Sequence, residues 1–182
     1  SNAWFSSGNN EITKGGRNER NTPGEVGWRW VWASGNAELT GYAAYWKNKS
    51  LMSNKYKQLD SDDTRYMVRG LDAFHYGAEL SLRQNVGKWL EINAFASLGD
   101  WRWKNDVQAI IYDDYSGLEI GKVNVYCDNL PVADSPQTQV GAYVGAIIPA
   151  GFRIGANWQF NDRMYADFDP LTRTNPDDRQ SS

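Results

Sequence analysis

The chain predicts an all-β fold, an antiparallel up-and-down meander of about six strands. Segment after segment alternates apolar and polar residues. Phe74, Tyr76, Ala78, Leu80 and Leu82 interleave with His75, Gly77, Glu79, Ser81 and Arg83. Successive strand side chains point to opposite faces, so each such segment has one greasy and one wet face. The turns supply the second observation, because short and long ones succeed each other. No helical period runs long enough to place a helix, which is the third.

The first hairpin joins Glu25–Trp32 to Glu38–Lys47 through Ser34-Gly35-Asn36. The second joins Leu71–Arg83 to Trp89–Trp103 around Asn85-Val86-Gly87-Lys88, and Leu90, Ile92, Ala94, Ala96 and Leu98 form its second apolar face. The third joins Gln137–Ile148 to Phe152–Tyr165 around Pro149-Ala150-Gly151. Here Val140, Ala142, Val144, Ala146 and Ile148 precede Ile154, Ala156, Trp158 and Phe160 at the same period. Between hairpins lie the polar stretches Asn48–Gly70 and Lys104–Pro136, both read as loops. Facing follows from parity: Phe74, Leu80, Ile92, Val144 and Ile154 on one side, Glu79, Glu91, Asn93, Arg153 and Asn157 on the other.

Composition narrows the class. The 182 residues carry 19 basic and 22 acidic side chains, net charge -3, so there is no basic footprint for nucleic acid. Mean hydropathy is -0.66 and no run of ~20 apolar residues exists for a helical span, although barrel strands escape such a window. Nine Trp and ten Tyr fit either a membrane interface or a carbohydrate site. Cys127 stands alone, which excludes an internal disulfide and a CxxC metal site, and it reads as an incidental loop thiol. Ser1-Asn2-Ala3 reads as a tag remnant, residues 4–24 as a loop or disordered lead-in, 25–165 as the antiparallel barrel fragment, and 166–182 as the start of an extracellular loop.

Short turns on one side and long loops on the other is the layout of an outer-membrane barrel. Gly99-Asp100-Trp101-Arg102-Trp103-Lys104-Asn105-Asp106, Arg163-Met164-Tyr165-Ala166-Asp167-Phe168-Asp169-Pro170 and Leu71-Asp72-Ala73-Phe74-His75-Tyr76-Gly77-Ala78-Glu79-Leu80 carry a more specific likeness. Together they resemble the C-terminal barrel region of Bacteroidetes-type TonB-dependent receptors, from about Glu25 to the end. The resemblance implies a 22-stranded transmembrane barrel in the cell outer membrane, plugged from within. It further implies active import of a nutrient such as a siderophore, vitamin or glycan, energised by the TonB complex through a plug portion. No plug, TonB box or terminal strands are recognised in these residues, so the chain reads as an excised piece. The competing readings are a soluble, aromatic-rich carbohydrate-binding β-domain and a passive porin-like barrel.

The candidate ligand-binding residues are Trp101, Arg102 and Trp103 at one strand exit, and Arg163, Tyr165, Asp167 and Asp169 at another. The first three read either as an aromatic girdle with a snorkelling arginine or as a stacking platform for a sugar-like or aromatic ligand. Arg163 is expected to pair with a lumen acid. Asp60, Asp62 and Asp63, Asp113 and Asp114, Asp167 and Asp169, and Asp177 and Asp178 could offer oxygens to Ca²⁺, but none has EF-hand spacing. They read as solvated turns, with no metal or cofactor expected. His75 beside Glu79 has no accompanying nucleophile motif and reads as a hydrogen-bonded lumen histidine. Nothing places Glu79 and Glu91 at the separation glycoside hydrolysis needs, so no enzyme is expected. The partners expected are outer-membrane lipid, the TonB complex and a small nutrient. In water the sheet is expected to cover its apolar face against itself or, more favourably, against a second copy.

Overall fold

The protein is described by a computed structural model, which covers residues 18–53, 64–113, 116–133, 135–148, 151–168 and 172–179. The tag remnant and most of the lead-in lie outside these residues. Strands β1 (Arg20–Trp32), β2 (Gly35–Ser53), β3 (Thr64–Val86), β4 (Leu90–Trp103), β5 (Val107–Asp113), β6 (Glu119–Val125), β7 (Thr138–Ile148) and β8 (Phe152–Asp162) form one antiparallel sheet. The main path runs β1-β2-β3-β4-β7-β8, and the β5–β6 hairpin hangs from β3. Among the described residues β1 pairs with β2 alone and β8 with β7 alone, so the sheet is open at both edges.

The differences from the sequence reading sit at the ends of elements and in the second expected loop, which raises the strand number from about six to eight. β1 starts at Arg20, because Thr22, Pro23 and Gly24 pair with Tyr45, Ala44 and Ala43. Proline is tolerated there since an edge strand has no ladder to feed on its outer side. β2 and β3 run on to Ser53 and from Thr64, absorbing most of the expected polar loop. The expected loop of residues 104–136 contains β5 and β6, in which Val107, Ala109 and Ile111 alternate with Gln108, Ile110 and Tyr112. β8 ends at Asp162, short of Tyr165, and Arg163 follows in a left-handed conformation at φ 52°.

Register fixes two faces. Trp28, Leu39, Leu80, Ala96, Val140 and Phe160 occupy one continuous row across six strands. The next row of that face is Trp30, Ala37, Leu82, Ala94, Ala142 and Trp158. Phe74, Leu80, Ile92, Val144 and Ile154 share this apolar face, and Glu79, Glu91, Asn93, Arg153 and Asn157 share the other. The apolar face is not folded over on itself: Trp28 is 66%, Ile154 61% and Trp158 58% exposed. Of the two coverings expected for it, burial within the chain does not occur among the described residues.

The buried core lies elsewhere, at the long-loop end. Val68, Leu71, Ala73, Trp103, Ala109, Val125, Cys127 and Leu130 close together there, with Phe168 edge-on to Trp103 at 6.4 Å. β3 is paired along most of its length with β4, but over Thr64–Val68 it pairs with β5. The chain changes partner at a corner of fixed hydrogen bonds. Asn105 Oδ1 accepts from the Asp72 amide at 2.8 Å and its Nδ2 donates to Gly70 O at 2.7 Å. Asp106 Oδ1 accepts from the amides of Cys127 and Asp128, each at 3.0 Å. Buried Gln137 then ties the 130–137 segment to β4: its Oε1 accepts from the Trp101 amide at 3.2 Å, and its Nε2 donates to Trp101 O and Val132 O. A buried amide satisfied on both ends holds an irregular segment without leaving a polar group stranded.

Candidate functional site

On the polar face a file of rings descends from the core. Lys49 Nζ lies 4.8 Å from the Trp46 ring centre, Trp46 stacks on His75 at 5.7 Å, and His75 stacks on Trp101 at 5.3 Å, with interplanar angles of 5° and 12°. Trp101 Nε1 then donates to the Tyr42 hydroxyl at 3.0 Å. β-strand pleating puts Trp46, His75, Trp101 and Tyr42 on one side, and the bulge after Trp46 brings Lys49 back over the same rings. Glycines make room for the file. A Cβ at Gly77 would lie 2.5 Å from the Tyr42 hydroxyl and from Leu98 O, and one at its cross-strand partner Gly99 would lie 2.7 Å from Trp101 Nε1. The same device recurs where Phe95 lies over Gly141, and Tyr143 over Gly145 and Gly155. Rings laid over paired glycines cover backbone that those residues leave bare.

Two hollows adjoin the file. One, of about 630 Å³, is lined by Glu25, Thr40, Tyr42, Glu79 and Trp101. Its neighbour, of about 330 Å³, shares Thr40 and Glu79 and adds Glu38, Ser81, Phe95, Ser97 and Gln139. Lower on this face Glu91 is gripped by Arg153 at 2.6 Å and Arg83 at 3.4 Å.

The structure separates the residues marked from the sequence. Trp101 belongs to the ring file. Trp103 is 3% exposed inside the core and offers no platform. Arg102 is on the opposite, apolar face, where it pairs with Asp100 at 2.8 Å and donates to Asn129 O. Tyr76 donates to that aspartate at 2.9 Å, and Phe74 and Tyr45 continue an aromatic rim beside it. Arg102 thus sits beside two tyrosines and a phenylalanine and apart from both tryptophans. Among the described residues Arg163 pairs with no acid through its guanidinium: Nε donates to Thr138 Oγ1 at 2.7 Å and Nη2 to Gln137 O at 3.0 Å. It closes the exit of β8. Tyr165 is half-buried and Asp167 is exposed, outside the two hollows, while Asp169 lies outside the described residues. His75 is held by stacking; among the described residues its side chain makes no hydrogen bond, contrary to expectation.

No family model, no curated protein and no solved structure matches the chain. The site is therefore defined by geometry. Asp60, Asp62, Asp63 and Asp114 lie outside the described residues. Asp113 Oδ1 caps a turn, accepting from the Ser116 amide at 2.7 Å and its hydroxyl at 2.8 Å. Cys127, entirely buried, donates to Asn105 O at 3.2 Å, and burial, with Asp128 second, pushes its thiol up to about 12. It is a core residue. Tyr42, Trp46, Thr40 and Glu25 were not singled out from sequence. Parity with Trp101 and His75 marks their face, but only the register shows that they meet.

Proposed function

We propose that this chain forms part of the wall of an outer-membrane β-barrel of the TonB-dependent receptor kind. Such a barrel imports a small nutrient, and the TonB complex acts through a plug portion outside these residues. The observation that carries the reading is the uninterrupted apolar face over β1-β2-β3-β4-β7-β8, exposed and opposed by a polar face of rings, hydroxyls and charges. A domain living in water rarely leaves so large an apolar patch bare, whereas lipid requires one. Strand lengths agree: β2 has 19 residues and β3 has 23, against about 10 for a tilted crossing. The surplus on the long-loop side carries the core and the β5–β6 hairpin, as an extracellular cap would require.

The test uses spin labels on single cysteines in the parent protein, in its membrane. Labels at Leu80 and Ile154 are expected to collide with oxygen dissolved in lipid, and labels at Glu79 and Asn157 are not. Equal oxygen access on both faces overturns the membrane reading. The receptor reading has its own check in the flanking coding sequence, where a signal peptide and an upstream plug are expected. A signal peptide without a plug would leave a passive barrel, and the lack of a signal peptide would overturn the receptor reading.

A further inference from the structure

We propose that the hollow lined by Glu25, Thr40, Tyr42, Glu79 and Trp101 binds an organic cation, an ammonium or guanidinium whose carbon body rests on the Tyr42 and Trp101 rings. The proposal goes beyond the wall reading and does not need the sheet to lie in a membrane.

Charge pairing on the polar face points to this hollow. Glu91 is neutralised by two arginines and Glu38 has Arg29 at 4.0 Å. Glu25 and Glu79 differ. Among the described residues neither has a basic partner, and Glu79 receives a single long hydrogen bond, 3.5 Å from Ser97 Oγ. Glu25 stands opposite Tyr42 and Glu79 opposite Thr40, so the two glutamates flank β2, about 10 Å apart across the strands and two residues offset along them. Among the described residues no lysine or arginine lines the space between them. Both carboxylates are exposed; an anionic ligand such as a carboxylate chelate would be repelled there, and a neutral sugar would gain nothing from their charge. A cation answers both carboxylates, and aromatic faces attract it further through the ring quadrupole. The rings are fixed before it arrives, because Trp101 is held between the His75 stack and the Tyr42 hydroxyl.

Agmatine, which carries an ammonium at one end and a guanidinium at the other, is the probe. The chain is folded in a neutral detergent and titrated while the indole N–H resonance of Trp101, assigned by its loss in Trp101→Phe, is followed. A saturable shift is expected with agmatine and none with glucose or citrate. Glu25→Gln and Glu79→Gln preserve shape and are each expected to weaken binding about tenfold; unchanged positions of the other indole resonances show that both variants stay folded. No saturable shift, an equal response to glucose, or full affinity in both glutamine variants overturns the proposal. The same titration on the parent protein distinguishes two sources of the cation. Binding there marks a ligand site, whereas a hollow already filled by a lysine or arginine from another part of that protein gives no response and overturns the ligand reading.

Discussion

Gly77 and Gly99 face each other across β3 and β4, and the Tyr42 hydroxyl and the Trp101 indole occupy the space their missing side chains leave. Gly77→Ala would press a methyl group against backbone oxygen and the phenol at once. The expected cost is about 1–3 kcal/mol, the usual range for overpacking, read as a lowered denaturation midpoint with loss of the near-ultraviolet signal of the ring file. Gly41 is the control: nothing lies within 4 Å of a Cβ built there. Gly41→Ala is expected to be neutral or to stabilise by up to about 1 kcal/mol, because the unfolded chain loses freedom. Cys127 gives a pH prediction. Its thiol is raised from 9.0 to about 12, so folding disfavours the thiolate. The stability this contributes is fully present below about pH 9 and is lost as pH rises towards 12. Unfolding midpoints of the parent chain should fall more steeply across that window than those of Cys127→Ala, which starts lower but lacks this titration. A parallel pair of curves would refute the assignment.

The β5–β6 hairpin shows how far an element can be read from sequence. Its alternation was present in Val107, Ala109 and Ile111, and again in Val123 and Val125, but over seven residues per strand and among Asp113, Glu119 and Lys122. Period alone does not distinguish so short a run from loop, whereas β4, β7 and β8 carry 11 to 14 residues each and were legible. Parity along those strands gave the facing of Leu80 and Glu79 correctly. The site was less legible. Trp101, Arg102 and Trp103 are neighbours in sequence, yet the pleat sends Arg102 to the apolar rim and the twist takes Trp103 into the core, leaving Trp101 alone in the ring file. What joins it to Tyr42 is a register spanning 59 residues, which one sequence does not reveal. At this scale the cap should unfold separately from the wall. Val125, entirely buried, is the place to test it. Val125→Asp buries an unpaired charge, costing about 3–5 kcal/mol locally. Hydrogen exchange should then strip protection from Tyr66–Val68 and Val107–Ile111 while leaving β7 and β8 protected. Loss of protection throughout would mean that cap and wall are one cooperative unit.

Over the whole molecule the two faces call for different surroundings, and substitutions should obey that split. Leu80→Arg on the apolar face is expected to cost about 2–4 kcal/mol when the protein is unfolded from lipid, the range for arginine near a bilayer midplane. Glu79→Arg, its neighbour on the polar face, should cost well under that. Urea titrations of the parent protein in vesicles compare them directly, and equal costs would argue against lipid on the Leu80 side. The shared strand adds one more consequence. β3 runs for 23 residues, roughly 75 Å at about 3.3 Å per residue, and pairs first with β5 of the cap, up to Val68, and then with β4 of the wall, from Ala73. The stretch between the two pairings is pinned by Asn105, which holds the Asp72 amide and the Gly70 carbonyl. A load applied to the cap therefore reaches the wall through the backbone of this one strand, and it is borne at the few residues that have left β5 and not yet joined β4.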